Sequence, residues 1–307
     1  MRMITIEMEK TKVYQGPITA CIGYFDGVHL GHQALIRRTV ETARENGSEP
    51  SLITFDPDPW VAIKGIDPST IRHISTFRER LDRIVELGIV NVIILKFTHE
   101  MSALSSQEFC TQILGRLNIQ AMICGFDFHY GYMGKGNGET LQKELQVPVH
   151  IVEAVEDEKG KISSTRITQA IQSGDMDEVR HLLGTDYRMS GTVVHGRHIG
   201  TSLGFPTANI DYLSEYLVPA CGVYAGYVIV KGRKHMAMIN VGHNPTVNWR
   251  NDISIEAHIL DFDEDIYGCQ IRVGFHTFLR AEQKFASRDN LILQLEQDAA
   301  HVRRIFA

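Results

Sequence analysis

The chain has 307 residues, of which 43% are hydrophobic and 22% charged, and this is typical of a globular protein of about two domains. Because 31 Lys and Arg face 37 Asp and Glu, the formal net charge is −6. We therefore expect no nucleic-acid partner, since phosphate binding requires a basic surface. The sequence contains no run of about 18 apolar residues, so we expect no membrane span. The charged opening MRMITIEMEK lacks the apolar segment of a signal peptide.

From Ile18 to about Gly184, short apolar runs alternate with amphipathic stretches. Helical spacing of apolar residues predicts helices over 32–46, 77–87 and 106–117, the first ended by Gly47. Apolar or β-branched runs predict strands over 18–24, 51–55, 90–97, 121–125 and 147–154. This alternation predicts βαβ units, and hence an α/β domain with a parallel sheet.

After Tyr187 the pattern changes to short alternating or apolar runs separated by turns. Examples are GVYAGYVIVKG, HMAMINVG and QIRVGFHTFL, which predict an all-β domain in the form of a small barrel. The amphipathic stretch 289–304 predicts one closing helix. We therefore expect two domains, residues 1–185 and 186–307.

The string GYFDGVHLGHQ, residues 23–33, predicts a strand end, a glycine turn and a helix start. A helix N-terminus attracts anions through its free N–H groups and its dipole. Gly27 and Gly31 leave room for phosphates near the backbone, and His29 and His32 lie on one helical face. We interpret this string as a phosphate site, although either histidine alone would be an ordinary surface residue.

A second candidate phosphate segment is KISSTRI, residues 161–167. Ser163, Ser164 and Thr165 precede a stretch predicted to be helical over 166–173, and hydroxyl residues at such a start suit a triphosphate tail. Arg166 adds a charged donor. By itself the segment fits an ordinary helix cap equally well.

The string HGRHIGTSLGFPTANI, residues 195–210, contains Gly196, Gly200 and Gly204 at intervals of four. Such a loop can wrap phosphates, although it lacks the Walker A pattern. Thr207 and Asn209 present two oxygen donors on one side of an extended segment, which suits Mg²⁺ held together with nucleotide phosphates.

Taken in order, these strings resemble the bacterial bifunctional riboflavin kinase/FAD synthetase family. GYFDGVHLGHQ resembles the HxGH signature of its adenylyltransferase half, and GFPTAN resembles its riboflavin kinase signature. Further matching segments are TFDPDP, CGFDFHYG, KISSTRI, NVGHNPT, ISIEAHILDFDEDIYG and LRAEQKF. The resemblance covers about residues 18–305. It implies a Rossmann-like α/β nucleotidyltransferase domain followed by an all-β riboflavin-kinase-like barrel with a C-terminal helix.

The resemblance implies two reactions of flavin cofactor biosynthesis, with ATP, riboflavin, FMN and FAD as small-molecule substrates and products and with Mg²⁺ as cofactor. In the first domain the phosphate of FMN attacks the α-phosphorus of ATP, and FAD and pyrophosphate form. In the barrel riboflavin is phosphorylated to FMN. The implied catalytic residues are His29, His32 and Glu256, the last as the proton acceptor, although Glu256 alone reads as an outward strand residue beside Ile255.

The remaining implied roles are binding roles. Thr207 and Asn209 are the metal ligands, and the flavin contacts are Asp127, Asn240 and Arg280. The residues implied in ATP and phosphate binding are Gly23, Phe25, Gly27, Gly31, Ser163, Ser164, Thr165, Arg166, Gly196, Gly200 and Gly204.

The chain departs from the family pattern at Tyr24, Asp58, Thr168 and Thr201, and the last three change or remove a phosphate neighbour. A lost charged contact costs about 1.5–3 kcal/mol. One alternative is therefore an enzyme with a single working activity. The others are a flavin-sensing regulator without catalysis and an adenylyltransferase for another small phosphate ester.

The five cysteines form no CxxC pair, which argues against a zinc site or a disulfide framework. We expect free thiols in a reducing compartment, and hence a cytoplasmic protein. The sequence carries no signal for an oligomeric state.

Overall fold

A computed structural model describes residues 1–8, 14–196, 200, 203–243 and 253–307. The chain divides into two compact units, the first formed by Met1–Ile71 and Thr76–Ser163 and the second by Arg72–Ser75 and Ser164–Ala307. Within the described ranges, no helix combines the length and the apolar character that a bilayer span requires.

The first unit is built on a six-stranded parallel sheet. Its strands are β1 Arg2–Ile6, β2 Ile18–Ile22, β3 Glu49–Asp56, β4 Asn91–Lys96, β5 Ile119–Gly125 and β6 Val149–Val152. The sheet order is β1-β4-β3-β2-β5-β6. The chain runs outward from β2 through β3 in one direction and returns to the other side of β2 with β5. The order therefore reverses between β2 and β5, where doubly wound sheets bind ligands beyond the carboxyl ends of their strands.

Helices cover this sheet on both faces. They are α1 Leu30–Asn46, α2 Pro59–Lys64, α3 Phe77–Glu86, α4 His99–Ser102, α5 Ser106–Gln112 and α6 Gly138–Leu145. All of β2 is buried: Ala20 and Ile22 pack into one hydrophobic cluster and Cys21 into another. Burial on both faces explains why β2 reads as a continuous apolar run rather than an alternating one. A short hairpin, β7 Glu156–Asp157 with β8 Gly160–Lys161, ends the unit.

The second unit is a closed antiparallel barrel with helices. Its elements are α7 Ser164–Ser173, α8 Met176–Leu183, β9 Tyr187–Val194, β10 Ala208–Tyr212, β11 Gly222–Val230, β12 Arg233–His243, β13 Ile253–Ile259, β14 Gln270–Arg280 and α9 Arg288–Phe306. The strand order is β10-β13-β12-β11-β14-β9. Helix α9 packs on the outside, where Ala299 and Val302 join Ala225 and Met238 in one cluster. The predicted barrel and closing helix are confirmed.

The structure also departs from the expected elements. The helix predicted over 106–117 ends at Gln112, and a 3₁₀ turn over Leu114–Arg116 follows. Strand β1 was not predicted. Apolar and polar residues alternate over residues 4–8, but the run is short, and only Ile6 of this edge strand is buried. The contacts of α7 and α8 assign both helices to the second unit, so the compact units divide between Ser163 and Ser164. The functional boundary at residue 185 stays a prediction.

Candidate active sites

The HxGH string forms a tight turn between β2 and α1. A 3₁₀ turn over Asp26–Val28 follows the strand, and α1 begins at Leu30 with His29 as its N-cap. Phe25 and Val28 are buried and have positive φ angles of 61° and 46°. Gly23 and Gly27 lie in the same turn, so the predicted strand, glycine turn and helix are all present.

His29 and His32 stack on each other in this turn, with ring centroids 3.7 Å apart and ring planes 17° apart. The backbone N–H of His32 donates to Nδ1 of His29 at 3.3 Å. A Cβ atom at Gly31 would lie 3.0 Å from the ring of His29, so any larger residue here would press on the imidazole. Nδ1 of His32 is buried and has no hydrogen-bond partner in the described part of the chain.

Both imidazoles are held uncharged at neutral pH. Burial and the positive charge of Lys161 lower the pKa of His29 to about 4, although Asp26 and Asp127 oppose this shift. The pKa of His32 is held well below its usual range, chiefly by burial and also by His29, Arg80 and Lys161. Since Nδ1 of His29 accepts a hydrogen bond, the single proton of the neutral ring lies on Nε2, which is therefore a donor.

Lys161 is a cation of this site. It belongs to the segment KISSTRI, but the sequence analysis predicted no role for it. Its ammonium forms an ion pair with Asp127 and lies 4.7 Å from the centre of the Phe126 ring. Asp127 follows β5, the neighbour of β2, so the sheet brings it to the same end as the HxGH turn. Lys161 is 40% exposed and Asp127 56% exposed, which leaves both accessible to a ligand.

Arg80 is a second cation that the sequence analysis missed. It lies on α3, is 1% exposed and donates to the carbonyl oxygen of Tyr24 at 2.9 Å. One signal could have found it: Phe77, Arg80, Leu81 and Ile84 have the spacing of one helix face, and that face is apolar apart from the arginine.

The second phosphate segment differs in detail from the expectation. Helix α7 begins at Ser164, so Ser164, Thr165 and Arg166 form its first turn rather than precede the helix, and Ser163 comes immediately before it. The guanidinium of Arg166 forms an ion pair with Glu178 of α8, in which both side chains are largely buried. Any phosphate that Arg166 binds must therefore compete with a carboxylate.

Asp58 has a local role in the structure. Its side chain accepts a hydrogen bond from the Trp60 amide at 2.8 Å and caps α2. This accounts for an acidic residue at the position.

The barrel brings several predicted residues into one row. In the pairing of β10, β13 and β12, Glu256 lies directly opposite both Asn209 and Asn240. Directly paired residues point to the same face of a sheet. The neighbouring residues Ile255 and Ala257 are buried, so the row of Asn209, Glu256 and Asn240 lies on the outer face of the barrel.

Thr207 joins this row just before β10. Its hydroxyl donates to Oε2 of Glu256 at 3.1 Å. A Cβ atom at Gly196 would overlap the Asn209 amide, so the glycine allows the loop to approach that side chain. Gly200 and Gly204 belong to a turn in which the amide of Phe205 donates to the carbonyl of Gly200 at 2.9 Å.

Arg280 is anchored by the C-terminal helix. Its Nε and Nη2 atoms lie 2.9 and 2.8 Å from Oδ2 of Asp298, which is 5% exposed. Gln294 donates to the other oxygen of this carboxylate at 2.9 Å. Arg280 therefore has a buried partner already, and it shares β14 with no other predicted site residue.

Some sequence-based interpretations fall outside the described residues. They concern Thr201 and residues 244–246 of the segment NVGHNPT. The described end of that segment, Asn240–His243, contacts the segment LRAEQKF, because a Cβ atom at Gly242 would overlap the carboxylate of Glu282.

Metal binding would rest on oxygen donors. Across the ranges that the structure describes, no group of three or more His, Cys, Asp or Glu side chains is arranged to hold a metal. Thr207, Asn209 and Glu256 nevertheless place hydroxyl, amide and carboxylate oxygens on one face. These are the donors that Mg²⁺ takes when substrate phosphates complete its shell, so the residues present fit this ion.

Comparison with known proteins finds matches over nearly the whole chain, and the family models and the curated relatives agree in their description. The family described as FAD synthetase matches residues 11–166, and the family described as riboflavin kinase matches residues 183–306. The bifunctional riboflavin kinase/FMN adenylyltransferase of Listeria monocytogenes is 38% identical over 288 residues, which cover 93% of this chain and 91% of that protein. The protein of the same description from Bacillus subtilis is 35% identical over 300 residues, with 96% and 95% coverage. A solved structure described as a macrolide-efflux protein from Streptococcus pneumoniae has a TM-score of 0.90 and 36% identity, and the match covers 98% of this chain and 99% of that one.

Proposed function

The chain belongs to the family of bifunctional riboflavin kinase/FMN adenylyltransferases, and we propose that each of its two residue clusters performs one of these reactions. It is an enzyme of flavin cofactor biosynthesis. The assignment of the sites rests on one observation: the histidine pair and the row around Glu256 belong to different units of the chain. The histidine pair lies in the unit that contains most of the FAD synthetase match, and the row around Glu256 lies in the barrel of the riboflavin kinase match.

Adenylyl transfer requires positioning rather than covalent chemistry by the protein. A phosphate oxygen of FMN forms a bond to the α-phosphorus of ATP while the bond to pyrophosphate breaks. The protein contributes by aligning the two reactants and by stabilising negative charge on the phosphoryl oxygens. We assign this role to His29 and His32, with the Nε2–H group of His29 as a donor to a phosphate oxygen. Gly23, Phe25, Gly27 and Gly31 shape the turn that carries them.

Lys161 supplies the accessible positive charge of this site. Its partner Asp127 is more than half exposed, so the ion pair is weakened by solvent and can exchange for a phosphate contact. When Lys161 turns to ATP, the Asp127 carboxylate becomes available to the flavin or to a metal. Ser163, Ser164, Thr165 and Arg166 are assigned to the leaving pyrophosphate, and Arg166 must first release Glu178.

Phosphorylation of riboflavin is assigned to the barrel. The terminal ribityl hydroxyl attacks the γ-phosphorus of ATP, ADP leaves, and the hydroxyl proton passes to the carboxylate of Glu256. Asn240 and Arg280 are assigned to the flavin, and Gly196, Gly200 and Gly204 to the loop around the nucleotide phosphates. Thr207 and Asn209 would hold Mg²⁺, which when bound neutralises phosphate charge.

A product assay on the full-length chain tests both assignments. The chain is incubated with ATP and Mg²⁺ and either riboflavin or FMN, and the flavins are resolved by chromatography. The variant His29→Ala/His32→Ala should lose FAD formation and keep FMN formation. Glu256→Gln should do the reverse, with FMN formation reduced by about 100-fold or more. Glu264→Gln is the matched control, because Glu264 is an exposed residue paired with Lys231. Loss of both activities in either variant would contradict separate sites.

The principal rival is an enzyme with only one working site. It is favoured by Thr168 on α7, where the family pattern has a cation, and by the ion pair that occupies Arg166. The same assay decides this, because FMN formed from riboflavin without FAD formed from FMN would identify a kinase alone. A flavin-sensing regulator is rejected if either product appears.

We also propose the functional boundaries 1–185 and 186–307 and a cytoplasmic location. Support for the location comes from the cysteines, all five of which are free thiols, as expected in a reducing compartment. The proposed partners are ATP, riboflavin, FMN and FAD.

A further inference from the structure

The turn that carries the histidine pair is strained. Phe25 and Val28 have φ angles of 61° and 46°, and a left-handed conformation is costly for a β-branched residue such as Val28. Such a conformation persists only where surrounding contacts fix it. The position of both imidazoles therefore depends on what anchors this turn.

The anchors converge on Tyr24 and Val28. The carbonyl of Tyr24 accepts hydrogen bonds from Nη1 of Arg80 at 2.9 Å and from the hydroxyl of Thr54 at 3.3 Å. The side-chain amide of Gln33 donates to the carbonyl of Val28 at 3.0 Å. Among these anchors, Arg80 alone carries a charge.

Arg80 contacts the turn in three ways. Besides the bond to Tyr24, its Nη2 lies 3.7 Å from the Asp26 carboxylate, and its guanidinium lies 4.2 Å from the centre of the Tyr24 ring. Arg80 is 1% exposed, and its Nε is buried without a hydrogen-bond partner within the described residues. Burying a cation with one donor unpaired is unfavourable for stability. The polar contacts that Arg80 does make, with the Tyr24 carbonyl and the Asp26 carboxylate, both lie in this turn, so the buried charge serves the conformation of the turn.

The positive charge of Arg80 also acts on the histidine pair, through the pKa of His32. Together with burial and His29, it holds the pKa of His32 below its usual range. A neutral His32 can stack against His29 without repulsion between two imidazolium charges. The same residue thus fixes the backbone of the turn and favours the stacked pair.

We propose that Arg80 is a positioning residue for adenylyl transfer. Its charged guanidinium holds the Gly23–His29 turn in the conformation that stacks His29 on His32. The proposal rests on the assignment of FAD formation to this site. Arg80 acts through the turn, and no contact of its own with the substrate is required.

Variants of Arg80 in the full-length chain test this. Arg80→Met removes the charge and the donor, Arg80→Gln keeps a donor without the charge, and Arg80→Lys keeps the charge. Arg78→Met is the matched control, since Arg78 lies on the same helix and is 84% exposed. The readouts are the ring C–H signals of His29 and His32 by NMR in substrate-free protein, and kcat and KM for FAD formation from FMN and ATP. Riboflavin phosphorylation by the same samples reports on the integrity of the rest of the chain.

In Arg80→Met we expect displaced signals of both histidines and a kcat for FAD formation reduced by about 100-fold, because a misplacement of about 1 Å has an effect of this size. Riboflavin phosphorylation should be unchanged, and Arg80→Lys should recover more activity than Arg80→Gln. Normal histidine signals and normal FAD formation in Arg80→Met would overturn the proposal. If Arg80→Met does not fold, Arg80→Gln and Arg80→Lys decide: equal behaviour of the two excludes a role for the charge.

The histidine signals separate this proposal from the proposed function. If the wild-type chain forms no FAD, the assignment of adenylyl transfer fails. The displacement of His29 and His32 in the Arg80 variants still shows whether Arg80 positions the turn.

Discussion

The hydroxyl of Thr207 donates to Oε2 of Glu256 across 3.1 Å, so an assigned metal ligand and the assigned proton acceptor are in contact in the barrel. The contact orients the carboxylate and leaves its other oxygen for a substrate hydroxyl. Because Thr207 precedes β10 and Glu256 lies on β13, the contact depends on the pairing of these two strands.

We expect Thr207→Val, which preserves shape and removes the hydroxyl, to lower kcat/KM for riboflavin phosphorylation by about tenfold or more, as the loss of one charged hydrogen bond predicts. FAD formation from supplied FMN should be unaffected. Thr192→Val on β9 is the control, because the described side-chain contact of the Thr192 hydroxyl is a hydrogen bond from the exposed Gln270. Wild-type phosphorylation by Thr207→Val would remove this hydroxyl from the mechanism.

The depressed pKa values of the histidine pair predict a pH dependence of stability. Burial lowers the pKa of His29 from its ordinary value of 6.5 to about 4 in the folded chain, and burial lowers the pKa of His32 in the same direction. The unfolded chain therefore binds more protons than the folded chain between these pH values, and the free energy of unfolding falls as the pH drops from about 6.5 towards 4.

Amide exchange of α1 peptides, measured at about pH 7 and about pH 5 and corrected for intrinsic exchange, reports this loss. In His29→Asn/His32→Asn this part of the pH dependence should be absent. Asparagine at position 29 keeps an N-cap acceptor for the amide of residue 32. An equal loss of protection in both proteins would show that other groups cause it.

Lys161→Met should raise the KM for ATP in FAD formation by about tenfold, because one accessible charged contact to phosphate is lost. It should also raise the pKa of His29, since the ammonium is one of the causes that lower it. Lys159→Met, in the turn of the same hairpin, is the control for the change of charge, because Lys159 is not among the named causes that set the pKa of His29. An unchanged KM together with an unchanged His29 titration would place Lys161 outside the site.

Asp298→Ala should destabilise the barrel by about 3 kcal/mol, because the largely buried guanidinium of Arg280 is left without its countercharge. Asp289→Ala, a change of the same kind in the exposed first turn of α9, should have little effect. Urea unfolding, monitored through the exchange of β14 amides, measures the difference in stability between the two variants. Equal midpoints for the two variants would mean that the ion pair contributes little.

Local signals were sufficient for much of the fold and of the first site. The strand, glycine turn and helix around His29 were predictable because they depend on residues that are close in the sequence. His29 caps the helix that carries His32, and Gly31 leaves room for the ring of His29. Edge strand β1 and the short helices, among them α2 and α4, were not predicted, because few of their residues are buried and periodicity is weak in short elements.

By itself, the sequence determined which chemical groups this protein has, the alternation of its elements and the two reactions that its motifs indicate. Only the tertiary structure decided which groups meet. Strand order brings Asp127 to the end of the sheet that carries the histidine turn, and the ion pair with Asp127 holds Lys161 there. Helix α3 brings Arg80 to the carbonyl of Tyr24, and barrel register sets Glu256 between Asn209 and Asn240. It also showed that Arg166 and Arg280 already have carboxylate partners. The physical reason is that capping and turn preferences act over a few residues, whereas these contacts join residues far apart in the chain and are set by the packing of whole strands and helices.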